Sequence, residues 1–341
     1  MLKPTFCKKE DFKKLMDFIK KNWPRKNILT KNRKLFDWLY LNRQSKTYNF
    51  VISKSKNKIL SCLGIIKNEV NLRTKKRGVI WLTMWLSVKD KKNTNSGIDL
   101  FYYLIKKYKK HIIGTVGLNE STILIYKILG FKTGYLDHYY ISNPNIKKFN
   151  LVKVPINKNY NTQRRKSSFH IEVTNKINFY KKNINLKKYE NFFFKNYTYF
   201  RSKYYENPFY KYKFYLINKK KRTLGFFVGR VCTYKGNKAL RFVEYFGSKS
   251  ALANIKYSLM FFLNKTNYEY VDFYNAGIEN KFLKKSGFKL NKFKKNIVIP
   301  NYFEPFKREN IKLRYAIWPG KKILPIFKGD CDQERPNSFN P

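Results

Sequence analysis

The sequence predicts an α/β fold of the α+β kind: two tandem copies of one unit, each a mostly antiparallel twisted sheet flanked by helices. Three observations lead there. A chain of 341 residues exceeds what one hydrophobic core usually organises. Residues 79–131 run apolar strand, polar loop, amphipathic helix, apolar strand and second helix, closed by Gly130-Phe131. A set of aromatic segments in the first half then returns, in the same order, in the second. The expected division is a first unit over 1–148, a linker over 149–168, and a second unit with the C-terminal tail over 169–341.

Taken in order, Phe12, Leu15, Met16 and Ile19 share one helical face, which Trp23-Pro24 ends. Leu35 to Leu41 reads as a second short helix. Tyr48 to Ser53 and Ile59 to Ile66 read as strands joined by a Lys/Asn/Ser turn, and Val70 to Arg77 as a hairpin region. Val79 to Val88 is rich in apolar, aromatic and β-branched residues, which suits a strand buried on both faces. After a polar loop, Ile98, Phe101, Leu104, Ile105 and Tyr108 form a helical stripe. His111 to Val116 is a further strand, and Tyr135 to Ser142 is expected to close the first sheet. Pro144, Pro155 and the polar residues around them mark the linker. In the second half, Arg201–Asn207 echoes Phe36–Asn42, Tyr212–Ile217 echoes Tyr48–Ile52, and Gly225–Val228 echoes Gly64-Ile65. Ser286-Gly287-Phe288 echoes Leu129-Gly130-Phe131, which sets Leu283 near the position of Tyr126.

Lys and Arg number 74 against 21 Asp and Glu, a net charge of +53. Codon bias toward Lys, Asn, Ile, Tyr and Phe accounts for part of this, but it does not require so few acids. Such a field attracts polyanions: CoA, nucleotide sugars, nucleic acid or an anionic membrane face; a merely solvated basic surface is the alternative. Cys7, Cys62, Cys232 and Cys331 lack metal-ligand spacing and read as free thiols of a reducing cytoplasm. No apolar run reaches membrane-spanning length, and the charged start of the chain does not fit a signal peptide.

Two motifs carry a family resemblance. Lys92, Asn93, Thr94, Asn95, Ser96 and Gly97 occupy the frame Gln/Arg-x-x-Gly-x-Gly/Ala, with Asn95 in place of its first glycine and Lys92 in place of Gln/Arg. Asn tolerates the left-handed backbone that this glycine serves. Downstream, Asn119, Thr122, Tyr126, Gly130 and Phe131 occupy Asn-x-x-Ala-x-x-x-Tyr-x-x-x-Gly-Phe, with Thr for Ala. In this order and spacing they resemble the GNAT superfamily of acyl-CoA N-acyltransferases. The resemblance implies acetyl-CoA or another acyl-CoA, with its pyrophosphate wrapped by residues 92–97. It implies that a backbone amide at a splay near Leu86, Ser87 and Val88 polarises the thioester. It makes Tyr126 the general acid toward the sulfur, where packing is the alternative for any one of 27 tyrosines. Asn119 would bond the pantetheine or cap the helix. Tyr245 to Ala253, the counterpart loop of the second half, lacks spaced glycines, so the first copy is expected to be catalytic and the second to shape an acceptor cleft.

For a base, His138 is the first candidate because its side chain tunes most readily near neutral pH; a half-buried strand histidine is the alternative. Glu69, Asp137 and Glu120 are further candidates, and proton loss to water needs none of them. The tail crowds Asp330, Asp332 and Glu334 together in an acid-poor chain. It is either a solvated terminus or a docked segment whose acids hold the acceptor's ammonium or hydroxyls. Its Asp-Gln-Glu-Arg-Pro-Asn stretch resembles an ending found in proteins of bacterial surface-polysaccharide loci. The expected reaction is N-acylation of a small amine, an amino sugar, nucleotide-linked, for surface glycan synthesis. A tRNA-dependent aminoacyl ligase of similar build is the first rival; no long helical arm for RNA is visible. A non-enzymatic nucleic-acid or membrane-binding module is the second, and it would not need the Asn119–Phe131 frame.

Overall fold

The computed structural model describes residues 3–23, 27–72, 75–88, 94–155, 167–320 and 325–338. In chain order the first elements are β1 (Thr5–Lys8), α1 (Phe12–Asn22), α2 (Arg33–Tyr40), β2 (Leu41–Asn42), β3 (Thr47–Ser55), β4 (Lys58–Leu72) and β5 (Lys75–Ser87). Then come α3 (Ser96–Lys107), β6 (Ile112–Val116), α4 (Ile123–Ile128), β7 (Lys132–Tyr135) and β8 (Asp137–Ser142). The next group is β9 (Phe169–Thr174), α5 (Asn178–Lys181), α6 (Ile184–Lys187), α7 (Glu190–Phe193), α8 (Tyr197–Phe200), β10 (Lys213–Lys219), β11 (Arg222–Tyr234) and β12 (Asn237–Gly247). Last are α9 (Lys249–Ala253), α10 (Lys256–Asn264), β13 (Tyr268–Ala276), α11 (Asn280–Lys285), β14 (Lys289–Leu290), β15 (Tyr302–Phe303), β16 (Phe306–Lys307), β17 (Arg314–Trp318) and β18 (Ile326–Phe327).

Two eight-stranded sheets result. One runs β1-β3-β4-β5-β6-β17-β7, with β2 beside β3. The other runs β14-β8-β13-β12-β11-β10-β9, with β18 beside β13. Read from β1 and from β9, the orders match: antiparallel strands lead to one parallel pair, β5·β6 in the first and β12·β13 in the second. The echoed glycines also match. Gly130 (φ 80°) and Gly287 (φ 91°) end α4 and α11 in the left-handed region that favours glycine. Phe131 N–H donates to Tyr126 O, and Phe288 N–H donates to Leu283 O, so Tyr126 and Leu283 are equivalent positions.

The expected division needs correction. One compact unit is Met1–Thr133 with Tyr315–Lys321 and Cys331–Ser338; the other contains Gly134–Arg314 and Lys322–Asp330. Of the stretch Tyr135–Ser142, expected to close the first sheet, Tyr135 ends β7 of that sheet, and Asp137–Ser142 form β8 of the second, which pairs with β13 from Asp137↔Asn275 to Ser142↔Tyr270. Its place in the first sheet is taken by β17, paired with β6 from Tyr315↔Val116 to Trp318↔Ile113. Periodicity identifies a strand and is silent about its neighbour, so this exchange leaves no mark on the sequence. The start of the expected linker is also part of the second unit. Glu269 accepts the amides of Asn150 and Leu151, and Leu151 and Val152 are buried with Tyr140, Tyr270 and Ile299.

Within the first unit, consecutive β3 residues face opposite ways. Val51 joins the core beneath α3 with Leu63, Ile80, Leu82, Leu100, Phe101, Leu104 and Ile113. Phe50 stacks on Phe36 of α2 at 5.3 Å and meets Tyr40 edge-on at 4.6 Å. Ile98, counted in the α3 stripe, is 38% exposed and stands outside this core.

Candidate active site

The site of the first unit begins where its parallel strands part. β5 and β6 pair through Val79↔Ile112, Ile80↔Ile113 and Trp81↔Gly114. Beyond that, β5 bulges against β4, because the register shifts between Leu63↔Trp85 and Ile65↔Leu82. The wedge opens into a cavity of about 420 Å³. Thr83, Met84, Trp85 and Ser87 form one wall, Thr115 to Asn119 the other, and Gly97, Ile98, Ile125 and Tyr126 reach in from α3 and α4.

Hydrogen bonding shows which β5 amides face this wedge. Val88 N–H donates to Leu60 O at 2.9 Å, so Ser61↔Ser87 is a non-hydrogen-bonded pair of the antiparallel ladder. The amide of Ser87 therefore points away from β4, toward the wedge, and that of Trp85, two residues back, shares its direction. The resemblance put the polarising amide near Leu86, Ser87 and Val88. Ser87 lines the cavity; Leu86 pairs with Cys62, Val88 is spent on Leu60, and Trp85 joins Ser87 instead.

Of the anion loop, Lys92 and Asn93 lie outside the described residues. Thr94 lines the cavity, and Asn95 and Ser96 lead into α3. Asn95 has φ −93° and ψ 6°, an ordinary conformation, so the tolerance of Asn for left-handed backbone is not called on. Its side chain does not cap α3, and the first helical bond is Asp99 N–H to Asn95 O. The amides of Ser96, Gly97 and Ile98 thus have no intrahelical acceptor. Two side chains fix this turn from below: Ser61 Oγ donates to Ser96 O at 2.8 Å, and Trp85 Nε1 donates to Gly97 O at 3.0 Å. Glycine is required at 97 by packing, because a Cβ there would lie 2.9 Å from Ser87 Cβ.

Tyr126 is 3% exposed, edge-on to Trp85 at 5.6 Å and to Phe131 at 5.0 Å. Burial drives its phenol well above the ordinary tyrosine value, against a hydrogen bond from Thr115, so it stays protonated at neutral pH. Asn119 lines the cavity and makes no side-chain cap, which removes the capping alternative.

His138 is corrected. It belongs to β8 of the second unit, is fully buried, stacks on Tyr274 at 3.7 Å and meets Asp272 Oδ2 through Nε2 at 3.1 Å. Burial lowers its pKa more than Asp272 raises it. Asp272, pushed up by burial, is brought below the usual carboxylate range by Arg241 and by this histidine. His138 is a neutral core residue outside the cavity lining. Glu69, Asp137 and Glu120 do not line the cavity either; Glu69 meets His111 Nε2 at 3.2 Å.

The tail supplies what the sequence left open. Cys331, at φ 59°, donates Sγ–H to Leu82 O at 3.1 Å, and Gln333 Nε2 donates to Val116 O at 3.1 Å. Both carbonyls lie just past the last β5·β6 pair, so side chains stand in for the missing ladder. Asp332, Gln333 and Arg335 line the cavity; Asp330 is buried against Lys195 of the second unit, and Glu334 is buried.

The equivalent wedge of the second unit is filled. Past Phe242↔Phe273, Tyr274 O accepts from Lys328 N–H at 3.4 Å, Val243 O accepts from Gly329 N–H at 2.8 Å, and β18 pairs with Asn275 and Ala276. Its short α9 is capped by Ser248 Oγ, which accepts Ala251 N–H.

No family model and no curated protein sequence matches this chain. Solved structures do. A GCN5-related N-acetyltransferase from Anabaena variabilis superposes with TM-score 0.56 at 12% identity, covering 93% of this chain and 72% of that one. A protein of unknown function from Enterococcus faecalis, described as a probable N-acyltransferase, gives 0.53 at 11% identity, with 85% and 70% covered. A GCN5-related N-acetyltransferase from Kribbella flavida gives 0.52 at 9% identity, with 93% and 70% covered. At these identities the likeness establishes architecture: the chain has the α/β fold of the GCN5-related N-acetyltransferases, in two such units.

Proposed function

We propose that this protein is an acyl-CoA-dependent N-acyltransferase whose single catalytic centre is the open wedge between β5 and β6. The observation that carries this reading is the wedge itself, with the Trp85 and Ser87 amides turned into it beside the uncapped start of α3. An extended amide-bearing chain fits such an edge as an added strand would, and phosphate oxygens fit the amides of Ser96, Gly97 and Ile98, which have no acceptor within the helix.

Bound acyl-CoA would supply the activated acyl carbon. The Trp85 and Ser87 amides donate hydrogen bonds where negative charge develops on the acyl oxygen. Tyr126, protonated and aimed into the cavity, gives its proton to the departing sulfur. Asp332, the carboxylate on the cavity wall, takes the proton that the amine sheds, and water resets both groups. Asn119 donates to the cofactor's amide chain. The acceptor we assign is an amino sugar, nucleotide-linked, for a surface glycan. The aromatic and amide-rich composition and the basic field support it.

The test is acetyl-CoA binding by calorimetry, followed by transfer assays with nucleotide-linked amino sugars, small amines, peptides and aminoacyl-tRNA. Gly97→Glu, which adds bulk against Ser87 and charge beside the phosphates, is expected to abolish binding. Undiminished binding by that variant, or transfer confined to aminoacyl-tRNA, would overturn the cofactor and the acceptor assignment respectively.

A further inference from the structure

The tail places an ion pair in the wall of the cavity. Arg335 Nε donates to Asp332 Oδ2 at 3.1 Å, and the two side chains retain 16% and 10% exposure. Taking two charges out of water is costly, and one hydrogen bond between them recovers only part of that cost. Within the pair, part of the guanidinium is left unused. Arg335 Nη1 reaches Asn337 Oδ1 at 3.2 Å and Pro336 O at 3.5 Å, while Nη2 has no hydrogen-bond partner among the described residues. Asp332 Oδ1 accepts from Gln333 Nε2 at 3.3 Å, with Cys331 Sγ at 3.5 Å, and its other side borders the cavity.

The pair also lies on the side suited to an acceptor. Tyr126 packs in the core beneath α3. Asp332 and Arg335 act electrostatically on Tyr40 of α2, whose hydroxyl donates to Thr83 Oγ1 at 3.1 Å on the opposite face of the sheet. The lining thus carries Tyr126 from the core beneath α3 and a charged pair from the tail.

We propose that the acceptor amine carries an anionic group of its own, a carboxylate or a phosphate: Asp332 Oδ1 holds the ammonium and the open edge of Arg335 holds the anion. The inference rests on the acyltransferase reading and names the substrate class of that same site. A guanidinium fork suits both anions because it donates two parallel hydrogen bonds. The pair keeps each member oriented until a zwitterion or amino-phosphate satisfies both. The basic field draws the anion in but cannot select it, since lysines spread over a surface do not fix a distance between two charges.

The experiment uses the full chain loaded with CoA and matched amines that differ only in the anion: glucosamine against glucosamine 1-phosphate and 6-phosphate, and glycinamide against glycine. Calorimetry is expected to show one anionic member binding at least tenfold more tightly than its neutral partner. Arg335→Gln should erase that preference while CoA still binds, and Arg335→Lys should restore part of it. Which pair discriminates tells phosphate from carboxylate. A preference that survives Arg335→Gln would assign it to the general field, and no discrimination in any pair would sink the proposal; either overturns it. Failure of the parent to bind CoA would remove the underlying reading instead, and this inference with it.

Discussion

Replacing Tyr126 by Phe removes one oxygen and leaves the ring edge-on to Trp85 at 5.6 Å and to Phe131 at 5.0 Å. In the folded protein the change is small. Thr115 loses an acceptor, worth about 0.5–1.5 kcal/mol, and part of this is offset because a phenol no longer has to be buried. At the transition state a positioned general acid is worth about 10²- to 10⁴-fold, or about 2.7–5.4 kcal/mol at 1.36 kcal/mol per decade. The expected result is therefore a kcat lowered at least about 10²-fold, with acetyl-CoA affinity and melting temperature nearly unchanged. The assay is release of free CoA, followed with a thiol reagent, against pH. Burial raises this phenol, so in the folded state it keeps its proton where a free tyrosine, at about 10, begins to lose it. Its contribution to stability is complete below that value and is lost only as pH rises further. The parent rate should show no alkaline fall from this group below about pH 10. A Phe variant within threefold of the parent would return Tyr126 to the core, and an alkaline limb near pH 8 that vanished in the variant would contradict its role as an acid.

The remaining expectations are brief. Gly97→Ala should destabilise the first unit by about 1–3 kcal/mol through overpacking on Ser87, and Ser87→Gly should rescue it, because the clash is Cβ against Cβ; denaturant titration reads both. Calorimetry should find one CoA per chain, since residues 326–329 fill the wedge of the second unit; two equivalent sites would refute this. His138 is held neutral by burial, so the unfolded chain binds its proton first as pH falls. Its contribution is present above about pH 6.5 and is lost below, at up to about 1.4 kcal/mol per pH unit. The urea midpoint should drop between pH 7.5 and 5 by more in the parent than in His138→Phe. Lys195→Met should unfold the second unit at lower denaturant, because it leaves Glu244 and Asp330 buried without their cation; an unchanged midpoint would refute the dependence of this buried cluster on its lysine.

Sequence alone determined the main elements of the first half and their order. Period-two and period-3.6 apolar patterns are local, so β3, β5, α3 and β6 follow from residues a few positions apart. The Gly130-Phe131 and Gly287-Phe288 pairs revealed the repeat, because only glycine readily takes the backbone that closes each helix. Ser87, Gly97, Asn119 and Tyr126, which line one cavity, belong to one short stretch with fixed spacing.

Tertiary structure decided everything that depends on which segments become neighbours. The fate of His138 turned on β8 pairing with β13, across 134 residues, where Asp272 and Tyr274 enclose it. The sequence near His138 is the same whether it faces a cleft or a core. The tail acids read as equivalent in sequence and proved to be of different kinds. Asp330 is neutralised by Lys195, whereas Asp332 borders the cavity, because Gln333 reaches Val116 across 217 residues. Hydrophobic patterning specifies which face of an element is buried. It does not specify the partner, and in this chain the partners open one wedge and seal the other.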